Sequence, residues 1–317
     1  METKQIDLCP VDKAEVLILS DNHSDVLLPS GDSVQRPSLA KEGVIPTDTL
    51  LAEHGLSLLI TVETGGDSRS VLLDSGYTDI AVPHNLDYLG IGLENIEAVV
   101  LSHGHMDHFG ALEQVIKRGP AGIELVLHPD VFNPRALDIP TGDTLFFPPF
   151  PSKETLSEWG ARVVENQGPL LLADEQILVT GEVDRSTPFE KGFPGAKARE
   201  GKEFVLDNFR DDQSLVIHVK DKGLAVISGC AHSGIINSIH QARRLTGVED
   251  VFAVIGGFHL SGPAMAPAVA PTIEALEQMS MSLVCPMHCS GFTAVSALSQ
   301  ALPDSFVLSS VGSKIIL

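Results

Sequence analysis

The chain has 317 residues, enough for one large domain with a buried core or two modest ones. Hydrophobic residues make up 43% and charged residues 20%, which excludes disorder as the main state, and no apolar run reaches the roughly 18–20 residues of a membrane-spanning helix. A net charge of −21 argues against general nucleic-acid binding, which relies on Lys and Arg against phosphate.

The segment Met1 to Asp7 lacks a basic stretch followed by an apolar one, so a cytoplasmic location is expected. Ala14 to Ser20 reads as a strand ending at Asp21-Asn22. Ser57 to Thr64 and Ser70 to Leu73 flank the turn Gly65-Gly66-Asp67 and predict a hairpin, and Ala98 to Leu101 is a short apolar strand. Glu182 to Asp212 is polar and aperiodic. It carries Arg185, Lys191, Lys197, Arg199, Lys202 and Arg210, and is expected to be a lid, an insertion loop or a solvated surface loop. Residues 213 to 228 predict a second hairpin. Ile235, Ile236, Ile239, Ala242 and Leu245 recur at helical spacing, with Ser233 as the expected N-cap and Gly247 near the stop. Strands at Val251 to Ile255, Ser282 to Val284 and Phe306 to Leu308 then alternate with helices at Thr272 to Met279 and Ala294 to Leu302. The pattern suggests helices layered outside β-sheets, in one domain over residues 1–317.

The chemistry concentrates after the strand at 98–101, in His103-Gly104-His105-Met106-Asp107-His108. On an extended strand end, side chains two apart point the same way, so His103 and His105 can grip one ion. Asp107 and His108 open the next helix, project differently and suit a second ion. Imidazoles with a carboxylate match zinc, with iron or manganese as alternatives. Gly104 is expected to permit a tight turn. The four cysteines, Cys9, Cys230, Cys285 and Cys289, are too few and scattered for a disulfide framework and are expected to be reduced.

His103 to His108 resembles the HxHxDH motif of the metallo-β-lactamase superfamily, and Leu73-Asp74-Ser75-Gly76 resembles its strand followed by Asp-x-Gly. A closer likeness is to the branch typified by archaeal dihydropterin–ribofuranosylaminobenzene phosphate synthases. It is carried by Asp21-Asn22, Ala52 to Ser57, Gly181 to Arg185, Phe189-Glu190, Gly229 to Ile235, Gly256 to Leu260 and Pro286 to Gly291. The resemblance implies an α/β fold, the αββα sandwich of two mixed sheets with outer helices, with two divalent metal ions at one edge. It places the last histidine ligand at His288 and gives Asp74 a supporting role. The middle of the site departs from the commoner pattern. Asp211-Asp212 stands where a histidine is usual, and Cys230 where a bridging aspartate is usual, with His232 two residues on. His232 is therefore expected as a ligand. Cys230 is expected as a ligand, a neighbour of the ligands or an inert buried thiol, and Asp212 as an alternative ligand.

His259 follows a doubled glycine and is read as a substrate contact or proton donor, with a core histidine as the alternative. Arg185, His54 and His128 are further candidates for substrate contact. Such a site fits hydrolysis of a small ester, lactone or phosphoester by metal-activated water, with Asp107 orienting the nucleophile. Alternatives are a synthase-like transfer from a diphosphate-activated pterin or, last, a non-catalytic metal-bearing sensor. The expected partner is a small, anionic or phosphorylated molecule, with no nucleic acid and no membrane.

Overall fold

Side-chain alternation along β1 (Lys13–Ser20) sends Val16 and Ile18 to one face and Leu17 and Leu19 to the other, and all four are buried. A strand covered on both faces needs a layer on each side. The computed structural model, which describes residues 5–317, supplies both. Strands and helices are numbered along the chain. The larger sheet also contains β2 (Val34–Gln35), β3 (Ser57–Thr64), β4 (Asp67–Leu73), β5 (Ala98–Val100), β6 (Glu124–Leu127), β9 (Arg162–Glu165) and β18 (Lys314–Ile316). Its order is β2-β18-β1-β3-β4-β5-β6-β9, antiparallel as far as β4 and parallel beyond it. The second sheet runs β10 (Leu170–Leu172), β11 (Ile177–Val179), β14 (Ser214–Val219), β15 (Gly223–Ser228), β16 (Val251–Gly257) and β17 (Leu283–Met287), parallel only from β15 onward.

The two sheets bury a shared core in which Val16, Ile18, Ile60 and Val100 meet Leu215, Ile217, Ile227 and Ile255. The outer face of the larger sheet is covered by α1 (Ala81–Leu89), α3 (Leu112–Arg118) and α4 (Lys153–Trp159) through Leu86, Val115 and Leu156. The smaller sheet is covered by α5 (Ile235–Thr246), α6 (Ala266–Met279) and α7 (Phe292–Ala301). This is the expected αββα sandwich. The short α2 (Met106–Phe109) opens immediately after the larger sheet's edge, as the motif required. No helix among the described residues is long and apolar enough to cross a membrane.

Four expectations need correction. The segment 182–212 is not structureless: β12 (Ala196–Glu200) and β13 (Glu203–Leu206) form a hairpin, and with β7 (Arg135–Asp138) and β8 (Thr144–Phe146) a third sheet in the order β13-β12-β7-β8. Helix α6 begins at Ala266, six residues before the expected start, because Pro267 is tolerated in a first turn and the helix runs on through Pro271 in the second. Phe306 makes only an isolated bridge to Val284, and the last strand is instead β18. Ser233 does not cap α5: the Glu190 carboxylate accepts from Ile236 N–H and Asn237 N–H, both at 2.8 Å. That bond pins the 182–212 segment to the helix.

Candidate metal centre

The C-terminal ends of the parallel strands gather at one edge, where irregular backbone leaves the sheets and presents side chains. Asp74 follows β4, the histidine motif follows β5, Cys230 and His232 follow β15, His259 follows β16, and His288 and Cys289 follow β17. Gly104 is required for a different reason than expected. A Cβ there would meet Arg135 Nη1 at 2.6 Å and the Val131 backbone at 2.9 Å, so close approach rather than a turn excludes other residues. Its N–H donates to Asp211 Oδ2 at 2.8 Å. Asp211 in turn faces Arg135 Nη2 at 2.7 Å, and Arg135 Nε donates to Asp207 at 2.9 Å. Two carboxylates thus hold one buried guanidinium directly behind the motif, and their charges outweigh burial and raise its pKa.

Hydrogen bonds settle the imidazole tautomers. Asp74 accepts from Ser102 N–H at 2.7 Å, from Ser102 Oγ–H at 2.7 Å and from His108 Nδ1 at 2.6 Å. The Ser102 hydroxyl, its proton spent on Asp74, accepts from His103 Nδ1 at 2.9 Å. Both rings therefore commit Nδ1 to these bonds and turn Nε2 inward, the atom a metal ligand presents, and in His103, whose charge burial suppresses, that nitrogen is a bare lone pair. His103 Nε2 lies 3.1 Å from His232 Nε2. Two nitrogens sharing a tetrahedral zinc at ~2.05 Å would stand about 3.3 Å apart.

Among the described residues, His105 Nε2 and His232 Nδ1 are buried without a hydrogen-bond partner. The nitrogens of His103, His105 and His232 lie within 4.8 Å of one another. Burial and neighbouring histidines hold His103 and His232 well below the usual histidine range, and burial followed by Arg135 lowers His105 to about 3. Three neutral imidazoles that converge, with orphaned nitrogens among them, fit a cation.

A second position adjoins the first. His288 Nε2 is 3.3 Å from Asp107 Oδ2, and His108 Nε2 is 3.2 Å from Cys230 Sγ. Burial works against ionisation of Asp107, but His108 and His288 outweigh it and keep the carboxylate well below its ordinary range. Burial also opposes charge on His108, where Asp74 and then Asp107 prevail and push it up to about 9. The Cys230 sulfur lies within 4.8 Å of the ligand nitrogens of both His103 and His108 and so joins the two groups. Asp212 does not: its Oδ2 accepts Ser233 N–H at 2.8 Å and fixes the turn carrying His232.

A cavity of about 150 Å³ opens over this edge, with His54, Asp107 and His259 among its polar lining and Met106, Phe147 and Phe193 on its apolar wall. His54 is at the mouth, 3.7 Å from Asp107 Oδ2. Two expected substrate contacts are spent elsewhere. The Arg185 guanidinium donates to the carbonyl of Asn208 at 3.0 Å and to that of His232 at 3.4 Å. His128 accepts Asp130 N–H and caps the short turn Pro129–Phe132. Neither lines the cavity. Sequence reading missed the roles of Asp21 and Asn22. Asp21 Oδ1 accepts His288 N–H at 2.8 Å, and Asn22 Nδ2 donates to the His288 carbonyl at 3.0 Å. The early Asp-Asn pair was visible as a motif, but its partner lies 266 and 267 residues away.

Comparison with known proteins gives the family and the fold. Residues 52–188 match the family model for the metallo-beta-lactamase superfamily. The chain is 31% identical, over 87% of its length and 94% of the relative's, to 7,8-dihydropterin-6-methyl-4-(beta-D-ribofuranosyl)-aminobenzene-5'-phosphate synthase of Methanocaldococcus jannaschii. It is 33% identical to an uncharacterised protein of the same archaeon, over 82% of this chain and 92% of that one. Among solved structures, a metal-dependent hydrolase of the beta-lactamase superfamily shares the fold with a TM-score of 0.70 and 22% identity, covering 95% of this chain and 98% of that one.

Proposed function

We propose that this chain, which belongs to the metallo-beta-lactamase superfamily, is a metal-dependent hydrolase of a small ester, lactone or phosphoester. The observation that carries this reading is the convergence of neutral imidazoles beside an ionised Asp107 on the floor of an open cavity. His103, His105 and His232 would hold one divalent cation, and Asp107, His108 and His288 a second, with Cys230 between them. Nitrogen, oxygen and sulfur donors suit zinc, with iron or manganese as alternatives. Bound cations of this kind supply Lewis acidity, acidifying water and polarising a carbonyl or phosphoryl oxygen.

The remaining work falls to the chain. The Asp107 carboxylate, kept ionised, can accept a hydrogen bond from the attacking water and orient it. His54 is exposed over 63% of its side chain and stands at the cavity mouth, where it can exchange a proton with solvent. Met106, Phe147 and Phe193 shield one side of the reacting centre from water. Phe193 also borders an adjoining apolar cleft of about 500 Å³, lined by Leu137, Ile139, Pro140 and Pro263, with room for the unreactive part of a substrate. The segment 182–212, which contributes Phe193 and Ala196, acts in this reading as a fixed wall of the cavity. The test is zinc-loaded protein on a panel of esters, lactones and phosphoesters. Turnover abolished in Asp107→Ala supports the reading, and no turnover on any substrate class rejects it.

A second reading, favoured by the 31% identity, is a synthase-type transfer in which the cations hold a leaving diphosphate. Among the described residues no Lys or Arg lines the cavity, so neutralising that group would fall to the cations. Formation of coupled product from the dihydropterin diphosphate and the ribosyl-aniline phosphate would favour this reading over hydrolysis.

A further inference from the structure

The two cation positions leave His259 and Cys289 without a role. Their ligand atoms and the Cys230 sulfur lie within 4.8 Å of one another, brought together from the ends of three adjacent parallel strands. Cys289 Sγ is 3.5 Å from the Cys230 carbonyl, and both thiols are buried and reduced. Gly257 makes room for the sulfur: a Cβ there would meet Cys289 Sγ at 2.6 Å and Cys230 Cα at 3.2 Å.

His259 is the most demanding member. Its backbone is held at φ +44°, a left-handed conformation that is strained for a non-glycine residue. Its ring packs on Phe193 and on His232, with centroids at 5.0 and 4.2 Å. Among the described residues, the buried ring nitrogens have no partner beyond the neighbouring Cys289 thiol. A neutral imidazole has one donor and one acceptor, and burying either unpaired is unfavourable unless a ligand completes it.

We propose that Cys230, His259 and Cys289 form a third metal position for a thiophilic cation such as Zn²⁺ or Cd²⁺, sharing the Cys230 sulfur with the histidine-bound pair. Two thiols and an imidazole are the donor set that selects soft or borderline cations over magnesium or calcium. Binding releases the Cys289 thiol proton to solvent, together with that of Cys230 where the histidine-bound pair has not already displaced it, so the third cation gains one thiolate of its own and a share in a second. The position is independent of the hydrolase reading, because it concerns metal content and not turnover.

The test uses the full chain stripped of metal, then saturated with Co²⁺ or Zn²⁺ and desalted. Bound metal per chain is read by elemental analysis, and thiolate ligation by cobalt charge-transfer absorption. The expected result is a loss of one equivalent in Cys289→Ser and in His259→Ala, with weakened charge-transfer absorption in Cys289→Ser. Cys285→Ser, at a buried thiol outside the cluster, keeps the parent's content. Circular dichroism identifies the folded variants, and either folded variant suffices for the comparison. If the folded variants bind as many equivalents as the parent with unchanged absorption, the third position does not exist. Because no substrate is present, failure of the ester and phosphoester panel leaves this result standing, and the reverse also holds.

Discussion

Replacing Asp74 by asparagine removes a charge while keeping the shape of the residue. Asp74 sits at φ +60°, a conformation asparagine tolerates better than most, so the backbone contributes little to the effect. The carboxylate accepts three hydrogen bonds, one at Oδ1 and two at Oδ2. An amide offers one acceptor oxygen. Its milder orientation keeps the Ser102 hydroxyl and His108 Nδ1 satisfied and points NH2 at the Ser102 N–H, leaving one buried donor opposed at a cost of about 1–3 kcal/mol. At about 1.5 °C per kcal/mol for a chain of this length, the metal-free protein should melt roughly 1.5–4.5 °C lower. The larger consequence is for the ions. Loss of a partner that orients and polarises a ligating imidazole lowers metal affinity by about 10–100-fold, equivalent to about 1.4–2.7 kcal/mol. Competition against a chromophoric zinc chelator measures this directly, with Ser102→Ala as a milder companion that disturbs chiefly His103. If Asp74→Asn binds zinc within twofold of the parent at every position, the relay from Asp74 to His103 and His108 is not what prepares the ligands.

Four further outcomes are expected. Chelator-treated protein should lose turnover and recover it with zinc, and saturating zinc at about 100-fold above Kd should add about 2.7 kcal/mol of stability, so full activity in excess chelator would refute a role for metal. His54→Ala should keep its metal content and lose about 10²-fold or more in kcat/KM, and an unchanged value would remove His54 from proton transfer. Glu190→Ala should cost about 1–2 kcal/mol by uncapping α5 and should expose the 182–212 segment to limited proteolysis, whereas parental melting and proteolysis would contradict that anchoring. Arg135→Met strands Asp207 and Asp211 and should cost about 3–5 kcal/mol, part of which returns when both carboxylates are also made asparagine; no recovery would mean that packing, not charge, is what Arg135 provides.

What could be read from the sequence was whatever residues do near themselves. The strand end followed by alternating histidines, and the two hairpins at 57–73 and 214–228, rest on spacing alone and recur in the structure. The hairpin of β12 and β13 was missed because its strands, AKARE and EFVL, are charged or half-exposed, and β12 pairs with β7 some 60 residues earlier. The cap of α5 comes from Glu190, 45 residues upstream of the helix start, so the nearer Ser233 looked sufficient. Arg185 looked free for substrate because the carbonyls it satisfies lie 23 and 47 residues away, whereas the cap that His128 provides to Asp130 N–H, two residues on, was local and was overlooked. Cys230 could be placed but not interpreted, since its meaning depends on His108, 122 residues away.

The ligand-bearing edge also bears on how the protein comes apart. His103, His105, Asp107 and His108 are rooted in one sheet, and Cys230, His232, His259 and His288 in the other. An ion held from both sides is a rivet across the sandwich, so the sheets cannot part at that edge while it remains. Escape of the ion and separation of the sheets then become a single slow event. Unfolding of the loaded protein should be limited by metal departure, and its rate should level off at high chelator concentration, where opening rather than capture sets the pace.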